Sequence, residues 1–282
     1  MIKIHTSLIA ASVLAMSMAP TFASAETMED VITRGSLRIG IASENFAPWL
    51  ATAKDGSRMG FEIDVANGVA AALKVQPEFV ELPFDQLLRE LTIGSVDVVI
   101  SGMSVSADRA LQVLFTAPYG TTEYTVVVDK SALPDGSADN GHDVDGVKLG
   151  VAADTLADYA ASAEFQKAEL VRFGDEGEIR DAFIDGKVNG VIAPTPYPEF
   201  IVSRAPDRYE AEKAPLLTTV QAMAVRTDSQ RFANFLNAWI TESKANGSLT
   251  GLREHWFMTL NWLDQLDGYD PEKKLEEPAK AQ

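Results

Sequence analysis

Two series of alternating strand-like and helix-like segments, separated by a stretch that breaks the alternation, constrain this 282-residue chain more than any other feature. In the first series Ser36–Ile41 reads as a strand with Leu37, Ile39 and Ile41 on one face. Phe61–Leu73 reads as a helix with an apolar stripe at Ile63, Val65, Val69, Ala70 and Leu73, and Pro77 follows it. Then come a strand over Phe79–Leu82, a helix over Asp85–Ile93 stopped by Gly94, and the apolar run Val96–Ser101, typical of a strand buried on both faces. The second series predicts strands at Lys148–Ala152, Leu170–Phe173 and Val188–Ala193, with helices over Leu156–Ala168 and Ile179–Asp185 between them. Strands that alternate with helices imply an α/β architecture with parallel sheets. Between the series, Thr116–Tyr119 runs into a β-rich stretch, Tyr124–Val128, and then a loop rich in Gly, Asp and Ser, Lys130–Asp145. Pro194, Pro196 and Pro198 interrupt the chain after the second series. A late strand (Val220–Val225), a long helix (Phe232–Asn246), a helical stretch (Leu249–Leu263) and a charged tail (Asp267–Gln282) complete it.

The N-terminus reads as a secretory leader. Lys3 supplies a basic start, Ser7–Met18 an apolar run, and Ala23-Ser24-Ala25 a cleavage pattern before Glu26. The expected product is a soluble periplasmic monomer. The whole chain's 24 Lys and Arg against 41 Asp and Glu give a net charge of −17, which disfavours nucleic acid and anionic membrane surfaces as partners. The chain has no Cys, which removes disulfides and thiolate chemistry, and its three His stand at no zinc-ligand spacing. The loop acids Asp135, Asp139, Asp143 and Asp145 lack the frame of a calcium loop. No cofactor or metal is implied.

Ligands of open α/β sheets bind at the carboxyl ends of strands, often against a following helix start. Two junctions suit this. At Ser101-Gly102-Met103-Ser104-Val105-Ser106-Ala107-Asp108-Arg109 a buried strand opens into a Ser/Gly turn, with Ser106 as helix cap and Arg109 in the first turn. An Arg there opposes the helix dipole unless an anion docks on it; the alternative is an ordinary surface pair with an Asp. At Gly150–Leu156 either Asp154 or Thr155 caps the next helix, and capping alone accounts for both. Phe46, Trp49, Phe84 and Tyr119 cluster at other strand ends, where aromatic faces grip a ligand or simply fill the core.

The run Gly35–Ile41, then Phe46-Ala47-Pro48-Trp49 and Gly60–Ala66, resembles the start of the periplasmic solute-binding proteins of polar amino-acid uptake, family 3. Gly94–Val98, Ser101–Ser106 with Arg109, and Phe115–Tyr119 match that family's most specific motifs, and Asn246–Leu249 with His255–Phe257 match its last helices. The resemblance implies the two-lobed, type II periplasmic-binding-protein fold, its lobes joined by two crossover strands at about Thr121–Val126 and Leu217–Met223. The expected division is a leader over 1–25, lobe one over 26–121 and 222–263, lobe two over 122–221, and a polar tail over 264–282. It also implies capture of a small carboxylate-bearing solute, an amino acid or derivative, for an inner-membrane ABC permease.

By position, Arg109 and the turn at Ser104 would hold the ligand carboxylate, and Ser101 and Gly102 would accept from its ammonium. Phe46 and Phe84 would sandwich the side chain, and Thr155 and Leu156 would close from lobe two. Met103 in the matched turn and Tyr197 after the second series complete the implied set. Where the family places an Asp to pair with the ammonium this chain has Pro194, and where it has Gly before Thr155 this chain has Asp154. Asp154, Glu123 and Glu44 are the candidate replacements; the alternative is a ligand without a primary ammonium. Two other functions stay open: an enzyme on the same scaffold resembling cyclohexadienyl dehydratase, with Glu199 out of step as its acid, and a sensor that presents its liganded form to a membrane receptor.

Overall fold

The computed structural model describes residues 28–137, 141–259 and 261–268. The expected leader over 1–25, part of the acidic loop and the end of the tail lie outside the described residues.

The chain builds two main sheets. The first collects β1 (Ser36–Ala42), β4 (Gln76–Leu82), β5 (Val98–Val99), β6 (Leu114–Phe115) and β13 (Ala224–Val225) in the order β4-β1-β5-β13-β6. β4, β1 and β5 run parallel, in register from Ser36 opposite Gln76 to Ala42 opposite Leu82. The short pair β2 (Ala51–Thr52) and β3 (Arg58–Met59) forms a separate hairpin. Helices α1 (Met28–Arg34), α2 (Phe61–Leu73), α3 (Leu87–Thr92), α8 (Gln230–Ala245) and α9 (Ser248–Glu254) accompany this sheet. Leu37, Ile39 and Ile41 of β1 pack with Phe61, Val65 and Val69 of α2 in one fully buried core.

The second sheet places β8 (Lys148–Ala152), β9 (Glu169–Phe173) and β10 (Gly190–Pro194) parallel, with β7 (Gly120–Asp129) antiparallel to β10. β11 (Tyr209–Ala211) and β12 (Leu217–Gln221) pair along the other edge of β7. The period-two alternation of β7 sorts its valines. Val126 and Val128 pack with α5 (Leu156–Glu164), whereas Val127 faces α6 (Glu176–Ile184) and Tyr209.

β7 and β12 are the two crossovers. They run antiparallel, with Thr219 opposite Thr122 and Gln221 opposite Gly120, before the returning chain enters the first sheet at β13. Gly120 keeps this crossing close: a Cβ would stand 3.1 Å from the Trp49 ring and 3.2 Å from Gln221 Oε1, so both side chains would have to shift.

The structure departs from the sequence expectations in places with physical causes. Pro77 lies inside β4 because β4 is an edge strand, where a missing N–H breaks no ladder. The single late strand expected over Val220–Val225 is two, because the chain leaves one sheet and joins the other, with Ala222 N–H donating to Met103 O at 3.1 Å. The prolines at 196 and 198 begin a helix, α7 (Tyr197–Arg204), whose first turn needs no N–H from Pro198. A four-residue helix, α4 (Ala107–Ala110), follows β5. The helical stretch after Leu249 ends at Glu254 and continues as a π-helical turn, His255–Thr259, that buries Trp256 and Phe257. The expected polar tail is held at its start: Leu266 is buried and Asp267 N–H donates to Thr52 O at 2.8 Å. No described helix is long and apolar enough to cross a membrane.

Candidate functional site

Strand ends from both sheets border one cleft between the lobes. From the first lobe it takes Phe46, Ala47, Trp49 and Leu50 after β1, Phe84 after β4, and Ser101, Gly102, Ser104 and Arg109 after β5. From the second it takes Thr155 and Leu156 after β8, Glu176 after β9 and Pro194 at the end of β10. Thr122, Tyr124 and Gln221 of the crossovers complete it.

Arg109 is set by the turn before it. Ser106 caps α4 by accepting from Arg109 N–H at 3.3 Å, and the Arg109 guanidinium donates to Ser104 O at 2.8 Å and lies 5.6 Å from the Phe84 ring centre. Among the described residues no carboxylate pairs with it, so the surface-pair alternative does not describe this Arg. Burial holds its pKa below the ordinary value, opposed by Tyr159 and Tyr124, and it stays cationic. A half-buried guanidinium without a counter-ion is an anion receptor by default.

The turn that carries it is held from below. Gly102 adopts a left-handed φ of +62°, and Ser101 Oγ accepts from Ala42 N–H at 2.8 Å, tying β5 to β1. Glu62, fully buried at the start of α2, accepts from Tyr119 O–H at 2.6 Å through Oε2, while its Oε1 has no hydrogen-bond partner among the described residues. Burial pushes Glu62 up to about 8 against the pull of the Tyr119 hydroxyl and the nearby Gly102 N–H. On the facing lobe Thr155 is the cap of α5: its Oγ1 accepts from Asp158 N–H at 3.2 Å and donates to Ala152 O at 2.9 Å. The free N–H groups of the first helical turn therefore lie beside Leu156 at the cleft wall.

Of the eleven residues in the implied ligand set, eight border the cleft: Phe46, Phe84, Ser101, Gly102, Ser104, Arg109, Thr155 and Leu156. Three do not. Met103 turns into the core of the first lobe, 1% exposed. Asp154 is exposed at a φ of +59°, its N–H directed at Asp158. Tyr197, on the first turn of α7, faces a second pocket between α6, α7 and Leu263 and Leu266. The aromatic sandwich is also different in kind. The Phe46 and Phe84 centroids are 6.0 Å apart at 52°, a pair in direct contact that forms one wall and leaves no slot between the rings.

None of the candidate replacements for the carboxylate missing at 194 borders the cleft. Glu123 is exposed, Glu44 accepts from Phe84 N–H, and Asp154 points away. Glu199, the out-of-step acid, is exposed on α7. The acid that does border it is Glu176, the first residue of α6, three positions beyond the end of β9. A sequence signal for it exists: it follows the carboxyl end of a parallel strand, as the other two junctions do. Burial, then the charge of Asp175, push its carboxyl up to about 8. Two further groups carry no side-chain cue in sequence. Thr122 Oγ1 and Gln221 Oε1, on residues 1% and 2% exposed, border the cleft and have no hydrogen-bond partner among the described residues. The described residues include no group of acids or histidines placed to hold a metal.

Most of the chain has counterparts among known proteins. The L-arginine-binding protein of Pseudomonas aeruginosa is 30% identical over 261 residues, covering 89% of this chain and 95% of that one. The solved structure of a putative binding component of an ABC transporter from Wolinella succinogenes, complexed with lysine, superposes with a TM-score of 0.75 at 27% identity, covering 82% of this chain and 99% of that one. Cyclohexadienyl dehydratase of P. aeruginosa is a more distant relative, 23% identical over 81% of this chain and 85% of that one. The pattern of the bacterial extracellular solute-binding proteins, family 3, matches residues 37–259. The chain belongs to that family and has its two-lobed type II fold.

Proposed function

We propose that this protein is the periplasmic capture component of an ABC importer, taking up an amino acid or amino-acid derivative through its carboxylate and delivering it to an inner-membrane permease. The observation that carries this reading is Arg109: a guanidinium at the cleft, without a carboxylate partner among the described residues, opposite the capped start of α5. The ligand carboxylate would take two parallel bonds from Arg109 and complete its charge balance as the lobes close. Lobe boundaries near 121/122 and 221/222 are supported by the antiparallel pairing of the crossovers. The relatives that bind arginine and lysine support the amino-acid class, and the leader pattern before Glu26 supports export. Non-enzymatic capture is favoured over dehydration because Glu199 stands outside the cleft.

A thermal-shift screen of purified protein against amino acids, betaines, opines and small carboxylates tests the reading. A ligand at a hundred times its dissociation constant stabilises the folded state by about 2.7 kcal/mol, readily visible as a raised melting temperature. A panel in which carboxylate-bearing compounds shift nothing would overturn it.

A further inference from the structure

We propose that Glu176 holds the positively charged group of the ligand, in place of the carboxylate absent at Pro194, so that the site selects bipolar molecules bearing both a carboxylate and an ammonium or guanidinium. The proposal rests on the carboxylate-capture reading above and adds the opposite pole. Glu176 is the one acid, and Arg109 the one base, among the residues that border the cleft. Both acids beside Glu176 are occupied elsewhere: Asp175 accepts from Glu178 N–H at 2.8 Å as the cap of α6, and Glu178 accepts from Gly174 N–H at 2.9 Å. Among the described residues nothing hydrogen-bonds to the Glu176 carboxyl itself. The cleft holds further acceptors in want of donors, Gln221 Oε1 and Thr122 Oγ1, both on deeply buried residues. A ligand nitrogen with several N–H groups satisfies such acceptors, and an unpaired buried acceptor is costly to leave unmet.

The two poles are separated. Tyr124, which rises from β7 at the cleft, is within electrostatic reach of both: the Glu176 charge raises its pKa and the Arg109 charge lowers it. The groups that face Glu176 are few. Asp175 is beside it on its own helix start, and Tyr197 reaches it from α7 and Tyr124 from β7; Glu176 also borders the second pocket with Arg180, which pairs with Asp181 at 3.1 Å, and Arg204, which lies over the Phe200 ring at 4.7 Å. No cation is placed against it among these groups, so in the free protein Glu176 is largely protonated at pH 7, its carboxyl pushed up to about 8.

This gives cation capture a signature. A bound cation favours the ionised carboxylate, so binding near pH 7 expels the Glu176 proton. Affinity then rises with pH, by up to about tenfold per unit, and levels off above about 8 where the free carboxyl is already ionised. Had the protonated carboxyl instead served as donor to a second ligand anion, affinity would fall with rising pH through the same range.

Calorimetric titration decides the matter, with L-arginine and L-lysine as bipolar probes and hexanoate and glutarate as carboxylates without a cation. Wild-type protein and Glu176→Gln are compared from pH 5.5 to 8.5, in phosphate and in Tris to count protons. Glu176→Gln keeps the size and neutral form of the side chain, and a thermal melt at pH 6 confirms its fold. The expected result is binding of a bipolar probe with close to one proton released at pH 7 and affinity rising toward pH 8. Glu176→Gln should bind at least about thirtyfold more weakly at pH 8, with no proton release and a flat pH profile. Wild-type affinity and pH slope retained in Glu176→Gln would overturn the proposal. So would Arg109-dependent binding of hexanoate or glutarate but of neither amino acid, an outcome that leaves carboxylate capture standing. Binding of none of the four overturns the bipolar proposal, and carboxylate capture falls with it where the wider thermal-shift panel is silent too.

Discussion

Replacing Arg109 by Met removes the cation on which carboxylate capture depends while keeping most of the stem that packs beside Phe84. Among the described residues the guanidinium has one polar contact, to Ser104 O at 2.8 Å, and the face of the Phe84 ring at 5.6 Å. It is half-buried and no carboxylate among the described residues repays its desolvation, so its loss costs the apo fold little: about 1 kcal/mol for the hydrogen bond, offset by relief of the buried charge. The ligand-bound state is another matter. Truncating one partner of a buried, hydrogen-bonded charge pair costs about 2–5 kcal/mol, a fall in affinity of roughly thirtyfold to several thousandfold. The matched control is Arg180→Met, which removes a partly exposed Arg paired with Asp181 on α6 and should leave affinity within about threefold. Calorimetry with a ligand from the thermal-shift screen measures both variants, and urea unfolding of the ligand-free proteins checks that stability is unchanged. Near-native affinity in Arg109→Met would refute the carboxylate clamp.

Two further outcomes follow from the groups that support the site. Glu62 and Glu176 are both pushed up to about 8, above their ordinary 4.5, so the folded state binds more protons than the unfolded chain between those values and stability falls as pH rises through that window, by up to about 1.4 kcal/mol per unit for each group. Urea unfolding from pH 4.5 to 8 should show that decline and a shallower one in Glu62→Gln; equal slopes would contradict the burial argument. Thr155→Val deletes the cap of α5, which should cost about 1 kcal/mol of stability and loosen the helix start at the cleft, while Thr155→Ser keeps both within about 0.5 kcal/mol by thermal melting. A Val variant as stable as wild type would show that the cap does not set that wall.

Much of the fold and of the cleft is legible in the amino-acid order alone. The apolar stripe of Phe61–Leu73 marks that helix to the residue, and the Ser/Gly turn after Val98–Val99 points to Arg109 because a cation at a helix start has no local reason to be there. What stays hidden depends on pairing and side-chain direction. Local pattern does not say that β4 is an edge and therefore tolerates Pro77, nor that the returning chain splits between two sheets at Ala222. Nor does it orient Tyr197, because three prolines mask the helix whose first turn carries it away from the cleft. Glu176 escapes notice because its strand–helix junction looks like an ordinary helix start, and only the enclosure of the cleft marks its carboxyl.

The central claim is that a solute carboxylate is held between the lobes by Arg109 and the start of α5. Its most direct test is a crystal structure of the protein with a ligand found by the thermal-shift screen. The account predicts the ligand carboxylate within about 3.2 Å of the Arg109 guanidinium nitrogens, with the Thr155–Leu156 turn against its other side. A ligand seated instead in the pocket between α6 and α7, or in the cleft with its carboxylate turned away from Arg109, would contradict it.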